Sequence, residues 1–587
     1  MSITTSSSVT LPVGEGVEQD HTRMPGGDEH GSEHNVTLPA RAFLLSQNSS
    51  SRTLVVPETT SQSSETSWAT PSSTEDGDEN DDDEEDEVAV PSKKGTRAYR
   101  YLRWNFGSVY RRIFTLAFLG NVAALVVVVA RSLLGGPSSR LTPGTCATAV
   151  SANILAALVI RNEHTVNAIF GVLALFPAGT PLAVRRAVAK VYSYGGIHSG
   201  CGVASFFWFV AFLVVLTGDF ANPDAIRAYI LLDSYLICAL LAAIIGFAHP
   251  RARVLLHNWF EGTHRFLGWS VILLFWALVM MLAEDSSSSS GGGGGGGGGV
   301  PYAAALVATP SFWMLIAITL LVAYPWTRLR LRDVEAEPMS DHVVKLNFDY
   351  ADVHYGQAIR LTDAPLRETH AFAVIPNPAA PPAGGDDDAE KALRGLSNAG
   401  KRGFSVLVSN AGDWTDKIIR NPPRKMWTRG VPQFGVLRVA GLFEPCIVVA
   451  TGSGIGPCLS LFVQKPDHPV RIVWSAQRPA ETYGQAVIDA LHRADPDAVI
   501  IDTKKTGRPD LVAIAYRIWE ASRRRALGLA QDEGGVEAAA AAAATATARK
   551  TGPCEAVVII SNQKVTRKVV YGLESRGIPA YGAIFDS

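Results

Sequence analysis

Two groups of residues in this 587-residue chain have types and spacing suited to chemistry. The first is the turn Gly452-Ser453-Gly454-Ile455-Gly456-Pro457, placed directly after the apolar run Cys446-Ile447-Val448-Val449. A strand that passes through glycines into a helix leaves backbone N–H groups free to hold a pyrophosphate, so the turn points to a dinucleotide. Alone it is a weak signal, because glycine-rich turns also serve packing. The second group is a pair of histidines, His198 in Gly-Gly-Ile-His-Ser-Gly and His264 in Gly-Thr-His-Arg-Phe-Leu-Gly-Trp, each at the start of an apolar segment. Imidazoles inside a membrane are rare and costly. The two segments run in the same direction, so both rings fall at one depth. Two neutral imidazoles on facing helices can ligate one b-type haem axially. Two interfacial histidines meeting lipid headgroups would carry the same residues. His257, seven residues before His264, is a weaker ligand candidate, and His249 reads as a loop residue.

The elements that must position these groups follow from hydropathy. The chain is 47% hydrophobic and only 18% charged, below the ~25% charged residues of soluble domains. Six apolar segments lie at about 112–132, 142–160, 197–217, 226–247, 264–283 and 300–324, each near the ~20 residues that a helix needs to span a bilayer. The run 166–176 is too short to span and reads as interfacial. Sixteen Lys and Arg residues flank one side of these segments, and only Arg131 and Arg140 the other. The positive-inside rule therefore puts both termini in the cytosol. Residues 1–95, with the acidic run Glu79–Glu87, read as a disordered tail. The stretch 286–299 of serines and glycines is a flexible outer loop. The net charge of −2 argues neither for nor against nucleic acid, and no basic stripe with interleaved aromatics, the mark of a nucleic-acid surface, occurs outside the flanks of the apolar segments. The six cysteines show no CxxC spacing and read as free thiols.

Beyond about residue 335 the pattern turns globular. The short strand-like runs 343–346, 372–375 and 405–408 suggest a small antiparallel barrel. After Pro445, strands at 446–449, 470–474, 498–502 and 556–560 alternate with helices at 481–494 and near Val569, which predicts a parallel, doubly wound sheet. The expected organisation is a tail at 1–95, a six-helix transmembrane bundle at 96–334, the barrel at 335–440, and an α/β domain at 441–587 with a low-complexity insertion at about 531–550.

This order, with His249-Pro250-Arg251-Ala252-Arg253-Val254 leading to His264, and Ala152-Asn153-Ile154-Leu155 with Arg161-Asn162, resembles the ferric reductase and NADPH oxidase superfamily. Within it the nearest resemblance is to the TmpA family of fungal integral membrane proteins. The resemblance covers roughly 100–587. It implies a flavin barrel, an NAD(P)-binding domain whose Gly-x-Gly-x-x-Pro turn is of the ferredoxin-reductase type, and haem ligation by His198 and His264. His370-Ala371-Phe372-Ala373 resembles the family's His-Pro-Phe-Thr, which contacts the flavin ring, but Ala373 offers no hydroxyl. Gly412-Asp413-Trp414-Thr415 resembles the next flavin motif. There Ser409 replaces a basic residue, and Lys417 and Thr415 are candidates to make up the phosphate pairing. Gly507-Arg508-Pro509-Asp510-Leu511 resembles a turn beside the dinucleotide, Arg478 could meet a 2′-phosphate, and Phe585 matches a terminal aromatic that covers the flavin or is an ordinary buried strand residue. The family's Cys-Gly pair is replaced after the last strand by Ser561-Asn562-Gln563. The second histidine of each haem helix is replaced by Ala211-Phe212 and Ala277-Leu278, which implies at most one, inner haem.

The resemblance thus implies an integral membrane flavoprotein, at the plasma membrane in preference to internal ones, that takes electrons from NADPH or NADH through FAD, with one b-type haem and an unidentified acceptor. The losses at Ala373, Ser561 and the outer haem positions support a rival, a catalytically degenerate pseudo-reductase acting as a membrane sensor or signalling protein. Protease added to sealed, cytosol-side-out vesicles should remove both the N-terminal tail and the C-terminal domain. Protection of the C-terminal domain would reverse the orientation.

Overall fold

The computed structural model describes residues 90–136, 139–221, 223–290, 301–377, 402–529 and 552–583, all of which fall in one compact unit. The acidic run, the glycine loop, the insertion and Phe585 lie outside the described residues. Five helices are long and apolar enough to cross a membrane: Val109–Leu134, Gly195–Asp219 with its short helical lead-in, Ala225–Ala248, His257–Ser290 and Pro310–Thr327. The second expected span divides into Pro143–Val159 and Glu163–Leu173, bent by 61°, and passes the same test only as a pair. At 1.5 Å per residue, the 17 residues of Pro143–Val159 reach about 26 Å, slightly under a ~30 Å hydrocarbon core.

Small residues set the bundle's closest contact. A Cβ at Gly196 would press on the Tyr110 carbonyl, and one at Gly200 would lie 2.8 Å from Ala117 Cβ, so this Gly-x-x-x-Gly face lets the Gly195–Asp219 helix lie directly on the first span. The Tyr110 and Ser199 hydroxyls bond across the same contact at 2.7 Å. His198, two positions after Gly196, leaves the helix on another face. Deeper in the bundle, Asn121 Oδ1 accepts from Asn153 at 2.7 Å and from the Trp208 indole at 3.0 Å. Trp208, Phe209, Phe212, Ile230 and Ile237 fill the interior. The outward faces carry Leu116, Leu134, Val214, Leu273 and Leu320, all exposed.

The strands β1 Arg330–Asp333, β2 Glu335–Ser340, β3 Val343–Phe348, β4 Gln357–Thr362, β5 His370–Ala373, β6 Ile375–Pro376, β7 Phe404–Ser409 and β8 Lys425–Phe434 follow. They divide into two four-stranded antiparallel sheets, β1-β8-β4-β5 and β2-β3-β7-β6, around a shared core of Val344, Leu346, Ile359, Leu361, Val406 and Met426. Next come β9 Cys446–Thr451, β10 Val470–Ala476, β11 Val499–Asp502, β12 Ala556–Ile560 and β13 Ala580–Gly582. These form a wholly parallel sheet ordered β11-β10-β9-β12-β13. Helices Ile455–Gln464 and Gln485–Ala494 cover one face, and Leu511–Ala526 and Gln563–Glu574 the other. The strand order reverses at β9, so the glycine turn leaves the sheet at its topological switch point, where open α/β sheets bind ligands.

Two expectations are corrected. The run read as an interfacial helix, 166–176, instead belongs to Glu163–Leu173, whose Val166, Phe170 and Leu173 are buried in one cluster with module residues such as Leu437 and Ala440. Asn167 donates to the Pro432 carbonyl at 2.8 Å and accepts from the Phe434 amide at 2.9 Å. Its apolar face meets protein, and an amphipathic pattern does not distinguish that from lipid. Secondly, the tail is packed before residue 95. The Lys94 amide donates to Ser575 O at 2.8 Å, and Arg576 donates to Pro91 O at 2.8 Å.

Charge completes this junction. Glu163, buried on the bundle side, pairs with Arg360 at 2.6 Å and accepts from the Val431 amide at 2.8 Å. Arg185 forks onto both oxygens of Glu555, with distances of 2.5 and 2.7 Å, and also reaches Leu442 O. Lys190 pairs with Glu574 and donates to Ala580 O, against the edge strand β13. The Arg185 side chain is only 6% exposed, so removing its partner leaves a buried uncompensated charge. Glu555→Ala should therefore lower stability by about 3 kcal/mol. The loss should appear as a depressed thermal midpoint together with faster hydrogen exchange over residues 182–194.

Candidate functional site

The histidine pair is assembled by two packing events. The glycine face fixes the depth of His198, whose Nδ1–H donates to Ala157 O at 2.8 Å. That bond leaves Nε2 with its lone pair free. His264 stands opposite, with Phe260 beside it at a ring separation of 5.6 Å. The centroids of His198 and His264 are 6.3 Å apart, with their planes tilted by 58°. A metal held at about 2.0 Å from a nitrogen of each ring, with about 1.1 Å from nitrogen to ring centre, requires about 6.2 Å. The observed separation matches that of two imidazoles sharing one metal. The His257 side chain lies outside the described part. His249 acts as a helix cap, accepting from the Arg251 amide at 3.3 Å. At the outer level Phe209 packs on Phe212 and Phe275, with centroids 5.3 and 5.7 Å away. Aromatic rings thus occupy the level at which the superfamily resemblance would put a second haem. Among the described residues no group of three or more His, Cys, Asp or Glu could hold a metal, and all six cysteines are free.

A clamp ties this pair to β5. Glu261, one turn before His264, and Arg265, the residue after it, bind each other. Arg265 donates to the carbonyls of Leu366 and Arg367 at 3.1 and 3.2 Å, and Glu261 accepts from the Thr369 hydroxyl at 3.3 Å. Those residues form the β4–β5 loop that delivers His370. Arg429 donates to Thr369 from β8 at 3.1 Å and lies over Trp326. Burial, with Arg360 and Arg265 nearby, pushes its pKa down to about 10.

On β5 the His370 and Phe372 rings stack under Trp414, with centroids 4.2 and 5.7 Å away. Burial lowers the His370 pKa against the opposing charges of Glu368, Glu261 and Asp363. His370 Nε2, Trp414 Nε1, Asp363 Oδ1 and Arg429 Nε are buried without a hydrogen-bond partner. Thr415 Oγ1 accepts from the Ala411 and Gly412 amides and donates to Gly412 O, closing its own loop. Lys417 pairs with Asp363 at 2.7 Å. In this conformation, then, both groups expected to face a phosphate have partners inside the module.

In the α/β domain Gly452 has φ +48°, a left-handed conformation that glycine adopts freely, and its carbonyl accepts from the Trp474 indole at 3.0 Å. Gly454 lies against β12: a Cβ there would collide with the Ile560 carbonyl. No side chain caps the Ile455–Gln464 helix, which carries Gly456 and Pro457 in its first turn. The Thr451 and Ser561 hydroxyls meet at 2.5 Å across the ends of β9 and β12. Arg478, at φ +41° after β10, is tied through its amide to Asp502 at 2.8 Å and through its guanidinium to Glu481 at 3.3 Å. Arg508 is exposed beside Gly507, and Asp510 caps the next helix.

Sequence reasoning missed Glu163, Glu261, Arg265, Thr369 and Arg429. Glu261 and Arg265 stand beside His264 in the sequence, but none of the five was among the sixteen Lys and Arg residues of the topology count and no local motif marks them. It also passed over Asp233, buried within a span with one oxygen unpartnered.

Comparison with known proteins gives a partial match. Residues 436–529 and 530–587 match the family model "Adenylate-forming reductase 03009, C-terminal domain". The adenylate-forming reductases 03009 and 06235 of Coprinopsis cinerea are each 37% identical, over 502 and 507 residues. Each alignment covers 85% of this chain and 42% of the relative. The chain thus spans less than half the length of these curated relatives. Among solved structures, flavohemoglobin from Malassezia yamatoensis with bound FAD and heme aligns at 13% identity over 75% of this chain and 99% of its own, with a TM-score of 0.32. Ferredoxin-NADP+ reductase from Plasmodium falciparum aligns at 10% identity over 44% of this chain and 96% of its own, with a TM-score of 0.27. Neither score establishes a shared fold.

The geometry makes Gly454 a poor probe of nucleotide binding, because any side chain strains the contact with Ile560. Ser453 is exposed on the same turn. Ser453→Asp should weaken NADPH or NADH binding by roughly tenfold or more, by repelling the pyrophosphate. The expected result is a right-shifted fluorescence titration with an unchanged melting temperature.

Proposed function

We propose that this chain is a membrane oxidoreductase whose cytosolic module takes reducing equivalents from NAD(P)H and whose bundle holds a single haem. The observation that carries this reading is the 6.3 Å separation of His198 and His264, together with the attachment of His264's own turn to the loop before His370. FAD would supply the exchange between two-electron and one-electron chemistry, and a b-type haem a one-electron acceptor. The protein's part is to hold and orient. His198 and His264 would hold the haem iron through one ring nitrogen each, with the Ala157 carbonyl fixing the tautomer of the first. His370, Phe372 and Trp414 offer the aromatic face for the flavin ring, with Gly412, Thr415 and Lys417 on the phosphate side. A phosphate there would draw Lys417 from Asp363. The turn from Gly452 through Gly454 and Gly456 to Pro457 receives the dinucleotide, with Arg508 beside it and Arg478 placed for a 2′-phosphate.

The exposed apolar faces of the five long helices exceed what a water-soluble surface carries, and a bilayer would cover them. In this reading both termini lie in the cytosol, six segments span, and the plasma membrane is the site. The word reductase in the names of the curated relatives agrees with nicotinamide chemistry in the module.

A second reading, the pseudo-reductase, is favoured by Ala373, by Ser561 and Asn562 after β12, and by the internal partners of Thr415 and Lys417. The optical spectrum of the purified protein separates the two. The expected spectrum shows flavin and one b-type haem per chain, and His198→Ala or His264→Ala removes the haem bands entirely while the flavin remains. Two haems would overturn the ligand assignment. Flavin without haem would leave the histidines as interfacial residues, and neither cofactor would establish the pseudo-reductase.

A further inference from the structure

Where the bundle meets the module there is a cavity of about 330 Å³ that the redox reading does not use. Arg103, Arg111, Arg112, Arg161 and Lys190 line it from the bundle side, and Arg567 and Glu574 from the module side. Glu574 is the one acid in the lining and is already taken by Lys190 at 2.6 Å. Among the described residues, no hydrogen bond or ion pair engages the guanidinium of Arg103, Arg111, Arg112 or Arg161. Like charges gathered around one cavity repel each other and are stabilised by a polyanion.

The cavity's position selects the kind of polyanion. One wall is the first turn of the first span, Val109–Arg112, and another is Gly195, where the helix of His198 begins. The Arg97–Asn105 helix leads directly into that turn. It exposes Tyr99, Tyr101 and Leu102, followed by Phe106, at 56–61% of their surface, while its arginines alternate with them. Aromatic rings and arginines on a short helix beside a span mark the headgroup level of a bilayer. Basic pockets at the cytosolic ends of spans suit phosphorylated lipid headgroups, and the volume is at the lower end of small-ligand sites.

We infer that this junction cavity binds the polyanionic phosphate headgroup of a lipid in the leaflet facing the module. The inference rests on the membrane reading given above but not on flavin or haem. Such a lipid would join three parts that already touch. Trp104 packs edge-on against Tyr571 at 5.0 Å, and Arg567, Val570 and Glu574 on the module's last helix face the cavity. Headgroup binding would therefore strengthen the hold of the α/β domain on the bundle.

The test uses the full chain in nanodiscs of neutral phosphatidylcholine, titrated with a short-chain fluorescent phosphatidylinositol bisphosphate. Saturable binding is expected, weakened roughly tenfold or more in Arg103→Gln/Arg112→Gln. Arg251→Gln/Arg328→Gln removes equal charge from the same flank away from the cavity and should change affinity by less than about twofold. Melting temperatures establish that both variants fold. Equal weakening in the two variants would mean general surface charge and overturn the site, as would the absence of saturable binding. Displacement by inorganic phosphate or NADPH at equal concentration would reassign the cavity to a soluble phosphate. Binding seen only after neutralising the acidic run Glu79–Glu87 would make that run the occupant, and the lipid proposal would fall. Alkaline carbonate extraction tests the membrane reading separately: release without detergent would remove that reading whatever the cavity binds.

Discussion

The structure depends on the burial of charge in the connection between the second and third bundle helices. Glu163 and Arg185 sit at opposite ends of that connection, each buried and each paired with a module residue, Arg360 and Glu555. Neither charge is tolerable in that setting alone, because desolvation costs several kcal/mol per ion unless the partner and further hydrogen bonds are in place. Both have such bonds, from the Val431 amide onto Glu163 and from Arg185 onto Leu442 O. A bundle and a two-domain module joined only by the Arg328–Leu329 linker could swing. With these pairs made, they cannot separate without exposing two uncompensated charges and the apolar face of Val166, Phe170 and Leu173.

That constraint reaches the histidines. The same connection ends at Tyr194, and the helix of His198 begins at the next residue, so docking the connection fixes where that helix enters the bundle. His264 is referenced to the module from the other side, through Arg265 and the carbonyls of Leu366 and Arg367. The two rings therefore owe their spacing to the module as much as to helix packing. A pair of interfacial histidines serving only headgroups has no need of such double fixation. The stacked Phe209, Phe212 and Phe275 of the outer level show the opposite case, an interior closed by rings that bind each other.

The parts of this arrangement legible in the sequence were those with a local signature. The glycine turn, the strands β9, β10, β11 and β12, and the apolar spans each announce themselves through periodicity or residue type within one short window. The strands β1, β2, β4 and β8 were missed because Arg330–Asp333, Glu335–Ser340, Gln357–Thr362 and Lys425–Phe434 carry charges or prolines on edges and faces that only pairing makes regular. The expected helix at 481–494 breaks at Gly484, whose φ of +83° turns the chain between two shorter helices. The run 166–176 was legible only as too short to span, and its apolar residues could not say whether lipid or protein covers them. The residues of the clamp, Glu261 with Arg265, Thr369 and Arg429, come from three separate stretches of chain, and no window contains them together.

The same distinction bears on whether the flavin face has been abandoned. Ala373 and Ser409 are losses in sequence, and a degenerate site is free to repack. Repacking should favour apolar or satisfied side chains, because a buried polar atom without a partner costs about 1–3 kcal/mol. Instead His370 Nε2, Trp414 Nε1, Asp363 Oδ1 and Arg429 Nε remain buried and unpartnered around one strand and its neighbouring loops. Apolar substitutes for Trp414 or His370 would keep the stack and remove the cost. Retaining four such atoms in one place is understandable if a polar partner completes them, and the isoalloxazine ring, with acceptors and a donor along one edge, is a partner of that kind. Under the flavin reading proposed above, the missing hydroxyl at 373 would weaken the contact, and the unpartnered atoms around His370 are the ones a bound ring would satisfy.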